Sequence, residues 1–244
     1  MTDVEEFIYD VLNLDNWWWS VGRRALIKSM VSRYANNSGD QTVLDIGCGT
    51  GATIKELEAQ GTVMGMDISP SALGYCRDRE IDTVCAADAA NLPYRDERFD
   101  LVVSVDVLEH VDDDIGALRE IRRVCKPGGV IIFTVPAFRF LWSRRDDLAH
   151  HVRRYRLPEV KEKTREAGLR IVRATYINLP LLIPLFLMVK VGYLLRREPS
   201  TEMDYVLVPP PINKVLGWIV RGEACWLARA DLPVGTSIAC VATK

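Results

Sequence analysis

Histidine is nearly absent from this 244-residue chain, which has three, at positions 110, 150 and 151. Imidazole chemistry is thereby confined to two short stretches. The six cysteines (Cys48, Cys76, Cys85, Cys125, Cys225 and Cys240) show no CxxC or zinc-like spacing. That excludes a zinc module or a disulfide framework and fits a reduced, cytoplasmic protein. The acidic N-terminus "MTDVEEFIYD" lacks a basic stretch followed by an apolar core, so no signal peptide is expected. A net charge of −2 provides no global field for a nucleic-acid partner, and none is expected. Internal repeats, low-complexity tracts and an interdomain linker are also missing.

What is present suits one globular domain, with 48% hydrophobic and 26% charged residues. Residues 2–14 and 21–35 read as helices, separated by "NWWWSVG". From Thr42 the pattern switches to short apolar runs alternating with helical stretches: 42–46, 62–67, 82–88, 99–106 and 129–136. Strand and helix in alternation predict an α/β fold with a parallel, doubly wound sheet. Further strands are expected at 169–177 and 235–243. The chain divides into an N-terminal helical cap (1–38), a cofactor-binding core (39–178), an insertion (179–232) and a final strand (233–244).

The first strand runs into a glycine turn, "VLDIGCGTG" at 43–51. Gly47, Gly49 and Gly51 allow a tight turn and close ligand approach, and a helix following from about Thr50 would offer amides to an anion. "GCGTGA" also fits the dinucleotide pattern GxGxxA, with Asp67 twenty residues beyond its first glycine. Asp45 decides between the two, because a carboxylate just before the turn repels a pyrophosphate and attracts a cation. S-adenosylmethionine, with its ammonium and sulfonium, fits. Asp67 ends the second strand and can accept from both ribose hydroxyls. Asp88 ends the third and can accept from the adenine amine, with Leu92 packing on the ring. Each acid taken alone could also be a helix cap.

"VLDIGCGTG", "GMDIS", "AADAANLPY", "FDLVVSVDVLEHV" and "LREIRRVCKPGGVIIFTVP" together resemble the ordered motifs of class I S-adenosylmethionine-dependent methyltransferases, in a ubiquinone/menaquinone-biosynthesis-like branch. The resemblance covers roughly residues 40–136. It implies a seven-stranded sheet of order 3-2-1-4-5-7-6 with the seventh strand antiparallel, and in-line methyl transfer. Matched position by position, it assigns Asp45, Gly47, Cys48, Gly49 and Gly51 to the methionine moiety. It gives Asp67 and Ile68 to the ribose end, Asp88 and Ala89 to the adenine, and Ser104 and Val105 to the strand end under the methyl group. "NWWWSVGRR" resembles an element lying across the cofactor pocket, which points to Trp18, Trp19 and Arg23, although tryptophans packing helix on sheet account for it equally.

Candidates for the chemistry follow the fourth and fifth strands. His110 and His151 are expected to take a proton from an acceptor hydroxyl, with Tyr155 beside them. Asp106, Glu109 and His110 have i, i+3, i+4 spacing and would share a helix face able to grip a divalent ion, or serve as structural and substrate contacts. No metal is assigned. "FRFLWSRRDDLAHHVRRYR" carries Arg139, Arg144, Arg145, Arg153, Arg154 and Arg156, a basic patch suited to an anionic or lipid-linked acceptor unless Asp146 and Asp147 pair with it.

The expected activity is O-methylation of a small or lipid-linked anionic acceptor. A nicotinamide-dependent oxidoreductase and a noncatalytic S-adenosylmethionine-binding protein are the alternatives. The apolar run "LPLLIPLFLMV" (179–189), followed by Lys190, Arg196 and Arg197, is too short to cross a bilayer. It reads either as a lid or as an element touching the inner face of the membrane through 179–197.

Overall fold

The computed structural model describes residues 9–36, 38–187 and 208–244. Seven strands form one sheet: β1 (Gln41–Ile46), β2 (Gly61–Asp67), β3 (Val84–Ala86), β4 (Phe99–Val105), β5 (Cys125–Pro136), β6 (Arg170–Ile177) and β7 (Ser237–Thr243). Their order is β3-β2-β1-β4-β5-β7-β6. β7 runs antiparallel to both its neighbours, and the other pairings are parallel. The topology implied by the family resemblance is the one observed.

Both faces of the sheet are covered, as a sheet with apolar residues on both sides requires. Along β1, Leu44 and Ile46 enter one core cluster and Val43 the opposite one. The period of two thus fills both layers. Helices α1 (Trp18–Tyr34), α2 (Ala52–Leu57) and α3 (Pro70–Asp78) lie early in the chain; α4 (Asp114–Val124), α5 (Arg144–Leu148), α6 (Leu157–Glu166) and α7 (Pro210–Leu227) follow. Ser69 caps α3, its hydroxyl accepting from the Ala72 amide, and Pro70 occupies the first turn. α1 also packs on α7, so closely that a Cβ added at Gly22 would come within 2.6 Å of Val220 Cγ2.

Several boundaries differ from the sequence reading. α1 begins at Trp18 rather than at 21, because the tryptophans are part of its buried face. β5 begins at Cys125, which already pairs with Phe99 of β4; Lys126–Gly129 then bulges out of register, with Gly128 at φ 76°, before Val130 pairs with Leu101. The expected insertion contains a 3-10 turn (Leu179–Leu181), a helical stretch at 182–187 and α7. Residues 188–207, including Lys190, Arg196 and Arg197, lie outside the described residues. No described helix is long and apolar enough to cross a membrane.

Candidate active site at the carboxyl ends of the strands

Gly47, Gly49 and Gly51 all have positive φ, at 70°, 53° and 81°. The amides of Gly47 and Cys48 donate to the Met66 carbonyl, Gly49 N–H donates to Asp67 Oδ2 at 2.9 Å, and Gly51 N–H donates to the Cys48 carbonyl. These four amides hold the turn in shape; the helix amides expected to face an anion are those that follow, from Ala52. A Cβ on Gly47 would fall 2.3 Å from Val107 Cγ2, and one on Gly51 2.6 Å from Ile81 Cδ1, whereas a Cβ on Gly49 meets nothing within 4 Å. Gly49 therefore borders the open space that a ligand would enter. Gly49→Ala should cost about 1 kcal/mol of stability from its left-handed backbone. It should also lower affinity for S-adenosylmethionine several-fold, by calorimetry; retention of full affinity would place the ligand elsewhere.

Asp45 is 1% exposed, and its Oδ2 has no hydrogen-bond partner. Burial raises its pKa to about 7; Arg23 opposes this and Asp67 adds to it. Asp67 accepts from the amides of Gly49 and Ser69, at 2.9 Å each. Its carboxylate retains lone pairs for ribose hydroxyls. Ile68, next to it, is 72% exposed, an apolar side chain left for a ligand to cover. Asp88 is exposed and accepts from Ala90 N–H at 2.8 Å, with Ala89 buried beside it. Leu92 is packed in the core beneath rather than offered to a ring.

Ser104 and Val105 close β4 and are buried, with Ser104 Oγ unpartnered. Arg23 reaches them from α1: its Nη2 donates to the Val105 carbonyl at 2.8 Å and lies 3.8 Å from Asp106 Oδ2. Two expectations for the ligand pocket need correction. Trp18 is buried with Val11, Trp17 and Val220 between α1 and α7. Trp19 instead lines a small pocket with Arg23, Val105, Asp106 and Thr134. The Cys48 side chain is buried beside Cys76, so Cys48 shapes the turn and offers no thiol to the ligand.

Beyond β4, Asp106 takes φ 56°, and its Oδ1 accepts from Thr134 Oγ1 at 2.8 Å. Leu108–His110 forms a 3-10 turn. The helix face that would have joined Asp106 to Glu109 and His110 does not form, and Asp106 is directed towards Thr134 and Arg23. The segment after β5 folds back instead. Tyr155 bridges to Ala137, its amide donating to the Pro136 carbonyl and its carbonyl accepting from Phe138 N–H, and Val152 N–H donates to the Glu109 carbonyl at 2.8 Å. The rings of His110 and His151 consequently meet edge to face, with centroids 4.7 Å apart. Burial of the His110 ring, helped by His151, lowers its pKa to about 4, although its outer edge meets solvent.

Asp146, absent from the sequence reading as a site residue, organises this end. It is fully buried, and its Oδ1 lies 2.8 Å from His151 Nδ1. Arg154 donates to both its oxygens at 2.7 and 3.0 Å, and the Ser143 amide donates to Oδ2 at 2.8 Å. Hydrogen bonds from His151 and Arg154 hold its pKa well below the usual carboxylate range, against the opposing effect of burial. The "SxxD" capping signature at 143–146 was the available signal. Glu109 is buried and its pKa is raised well above normal, by desolvation first and Asp106 second.

Tyr155 does not belong with the catalytic candidates. Its hydroxyl is buried and donates to Asp114 Oδ2 and the Leu108 carbonyl, at 2.8 and 3.1 Å. Burial and Asp114 push its pKa up. The basic patch is likewise smaller than expected. Arg153 pairs with Asp114, Arg154 with Asp146, and Arg145 lies over the Trp19 ring. Arg139, Arg144 and Arg156 remain exposed.

A glycine turn backed by Asp45, with acids at two further strand ends, thus stands on the sheet order that the resemblance to class I S-adenosylmethionine-dependent methyltransferases implies. Residues 44–133 match the family described as a methyltransferase domain. The chain is 35% identical over 130 residues to norajmaline N-methyltransferase of Rauvolfia serpentina, covering 48% of this chain and 44% of that one. It is 36% identical over 144 residues to a ubiquinone/menaquinone biosynthesis C-methyltransferase of Cupriavidus pinatubonensis, covering 55% and 57%. It thus spans about half the length of these curated relatives. Among solved structures, a chain in the complex between the Haloferax volcanii Trm112 methyltransferase activator and a methyltransferase superposes with a TM-score of 0.63 at 21% identity. That match covers 98% of this chain and 94% of the other, and shares the fold.

Proposed function

We propose that this protein transfers a methyl group from S-adenosylmethionine to a hydroxyl on a small or lipid-linked acceptor. One juxtaposition carries the reading: buried Asp45, its Oδ2 unpartnered, at the end of β1 just before the open glycine turn, with the Glu109–His110–His151 cluster beyond the end of the adjacent strand β4. The first would hold the cationic end of the cofactor, and the second would remove the acceptor's proton. Asp67 and Ile68 would hold the ribose end, and Asp88 and Ala89 the adenine. Arg23, bonded to the end of β4, would stand between the two halves. Calorimetry with S-adenosylmethionine, its demethylated product and a nicotinamide dinucleotide tests the cofactor. Transfer of labelled methyl to a copurified or extracted acceptor tests the reaction. Binding without transfer to any acceptor would favour a noncatalytic role.

The lipid-linked part of the reading rests on an apolar path leading away from the site. Phe138 stacks on Tyr176 and on Phe140, each at 5.1 Å, and Phe140 meets Phe186 at 6.1 Å. Phe186 belongs to the 182–187 stretch, where Ile183 and Leu187 are also exposed. Nearby, α7 turns Ile212, Val215, Ile219 and Trp226 outward at helical spacing, with Trp218 alongside and Lys214, Arg221 and Arg229 exposed near them. Such a surface suits peripheral contact with an anionic membrane, and the sequence between these two segments carries Lys190, Arg196 and Arg197. The protein should cosediment with anionic liposomes at low salt and be released at high salt. Protein wholly in the supernatant would leave 179–187 as a lid.

A further inference from the structure

We propose that Glu109, His110 and His151 bind a divalent first-row transition-metal ion. One ligand atom from each residue can be chosen so that all lie within 4.8 Å of one another. The set differs from the Asp106–Glu109–His110 spacing visible in the sequence: Asp106 is directed elsewhere, and His151 enters from forty residues downstream.

Glu109 is the observation that calls for an occupant. Its side chain is 0% exposed, and no other residue donates a hydrogen bond to either carboxylate oxygen, only its own backbone acting on it. The nearest described cationic or imidazole nitrogen is His151 Nε2, at 3.9 Å. A buried carboxyl with no donor beyond its own backbone is costly. Arg23 and Arg154, the two guanidiniums nearby, are bonded to the Val105 carbonyl and to Asp146. A metal ion held with the two histidines would satisfy Glu109 within this packing.

The histidines are arranged as ligands are. Asp146 lies 2.8 Å from His151 Nδ1 and places the hydrogen on that nitrogen, leaving the Nε2 lone pair facing Glu109. Metal-ligating imidazoles commonly donate their second nitrogen to a carboxylate or a carbonyl, which fixes tautomer and ring orientation. The His110 ring is fixed in the second of these ways, by the backbone of His150. Two imidazoles and one carboxylate with solvent at the His110 edge make a donor set suited to zinc, with a coordination position left open. An acceptor hydroxyl entering that position would be acidified and would give up its proton to solvent water at the His110 edge, the ion taking the part in deprotonation that the imidazoles have without it. That role rests on the methyl-transfer reading, whereas binding of the ion does not.

The test uses chelator-stripped full-length protein, titrated with zinc by calorimetry and with cobalt by visible absorption. The parent protein should bind a single equivalent of each with a tetrahedral or five-coordinate cobalt spectrum. Glu109→Gln and His151→Asn should each weaken that equivalent roughly tenfold or more, while S-adenosylmethionine affinity measured without metal stays unchanged. If Glu109→Gln fails to fold, His110→Asn at the solvent edge carries the same expectation. No stoichiometric binding in the parent, or unchanged binding in the folded variants, overturns the site and leaves a proton on Glu109. Failure of S-adenosylmethionine to bind the parent would count against the methyl-transfer reading alone.

Discussion

Asp45→Asn should melt at a higher temperature than the parent protein at about pH 8, and should bind S-adenosylmethionine more weakly at that same pH. Burial raises the pKa of Asp45 to about 7 in the folded chain, against 3.8 for an ordinary aspartate. Between those values the unfolded chain releases a proton that the folded chain retains. The group's stabilising contribution is therefore complete below the lower value, declines as pH rises through the window, and is lost above about pH 7. The loss is on the order of 4 kcal/mol at most. A neutral amide removes this dependence. Cofactor affinity should move the other way, because a bound cation favours the ionised carboxylate: in the parent it should strengthen as pH rises through neutrality, and in Asp45→Asn that rise should disappear. A parent affinity that is level across the neutral range would separate Asp45 from the ligand.

Asp67→Ala should weaken binding of S-adenosylmethionine and of its demethylated product by roughly 1.5–3 kcal/mol, the scale for losing charge-assisted hydrogen bonds. The effect has two sources. The carboxylate is the group able to accept from ribose hydroxyls, and it also anchors the Gly49 and Ser69 amides. Asp67→Asn keeps one acceptor oxygen for the turn and removes the charge. If turn geometry dominates, Asn should recover most of the affinity; if the ribose contact dominates, it should recover little. Unchanged affinity in the alanine variant would take Asp67 out of the site.

The sheet and glycine turn were legible because both depend on local patterns: alternating apolar runs, and glycines where the backbone takes positive φ. The three strand-end acids were legible for the same reason, since each sits at a fixed offset from a strand. What escaped depends on the phase of a helix or on contacts across the chain. Three adjacent tryptophans occupy successive directions around a helix, so moving its start to Trp18 sends Trp18 towards α7 and Trp19 towards the pocket. The Asp106–Glu109–His110 face required an α-helix where the chain makes a 3-10 turn. Tyr155 looked available beside two histidines until the fold brought Asp114 and Leu108 to its hydroxyl. Arg153 and Arg154 could not be told from surface cations until Asp114 and Asp146 were seen to be buried.

The position of β7 bears on the order in which the molecule can be assembled. β5 and β6 do not pair with each other; each pairs with β7, which is the last strand to be synthesised. β1 to β4, with the glycine turn and its acids, join through nearby sequence and can close early. The outer edge of β5 must wait, its backbone donors and acceptors uncovered, until Ser237–Thr243 slides between the two strands. Pairing across so much intervening chain is slow and leaves a growing polypeptide open to edge-to-edge association. Chaperone dependence of the nascent chain should therefore concentrate in the interval between the emergence of β5 and that of β7.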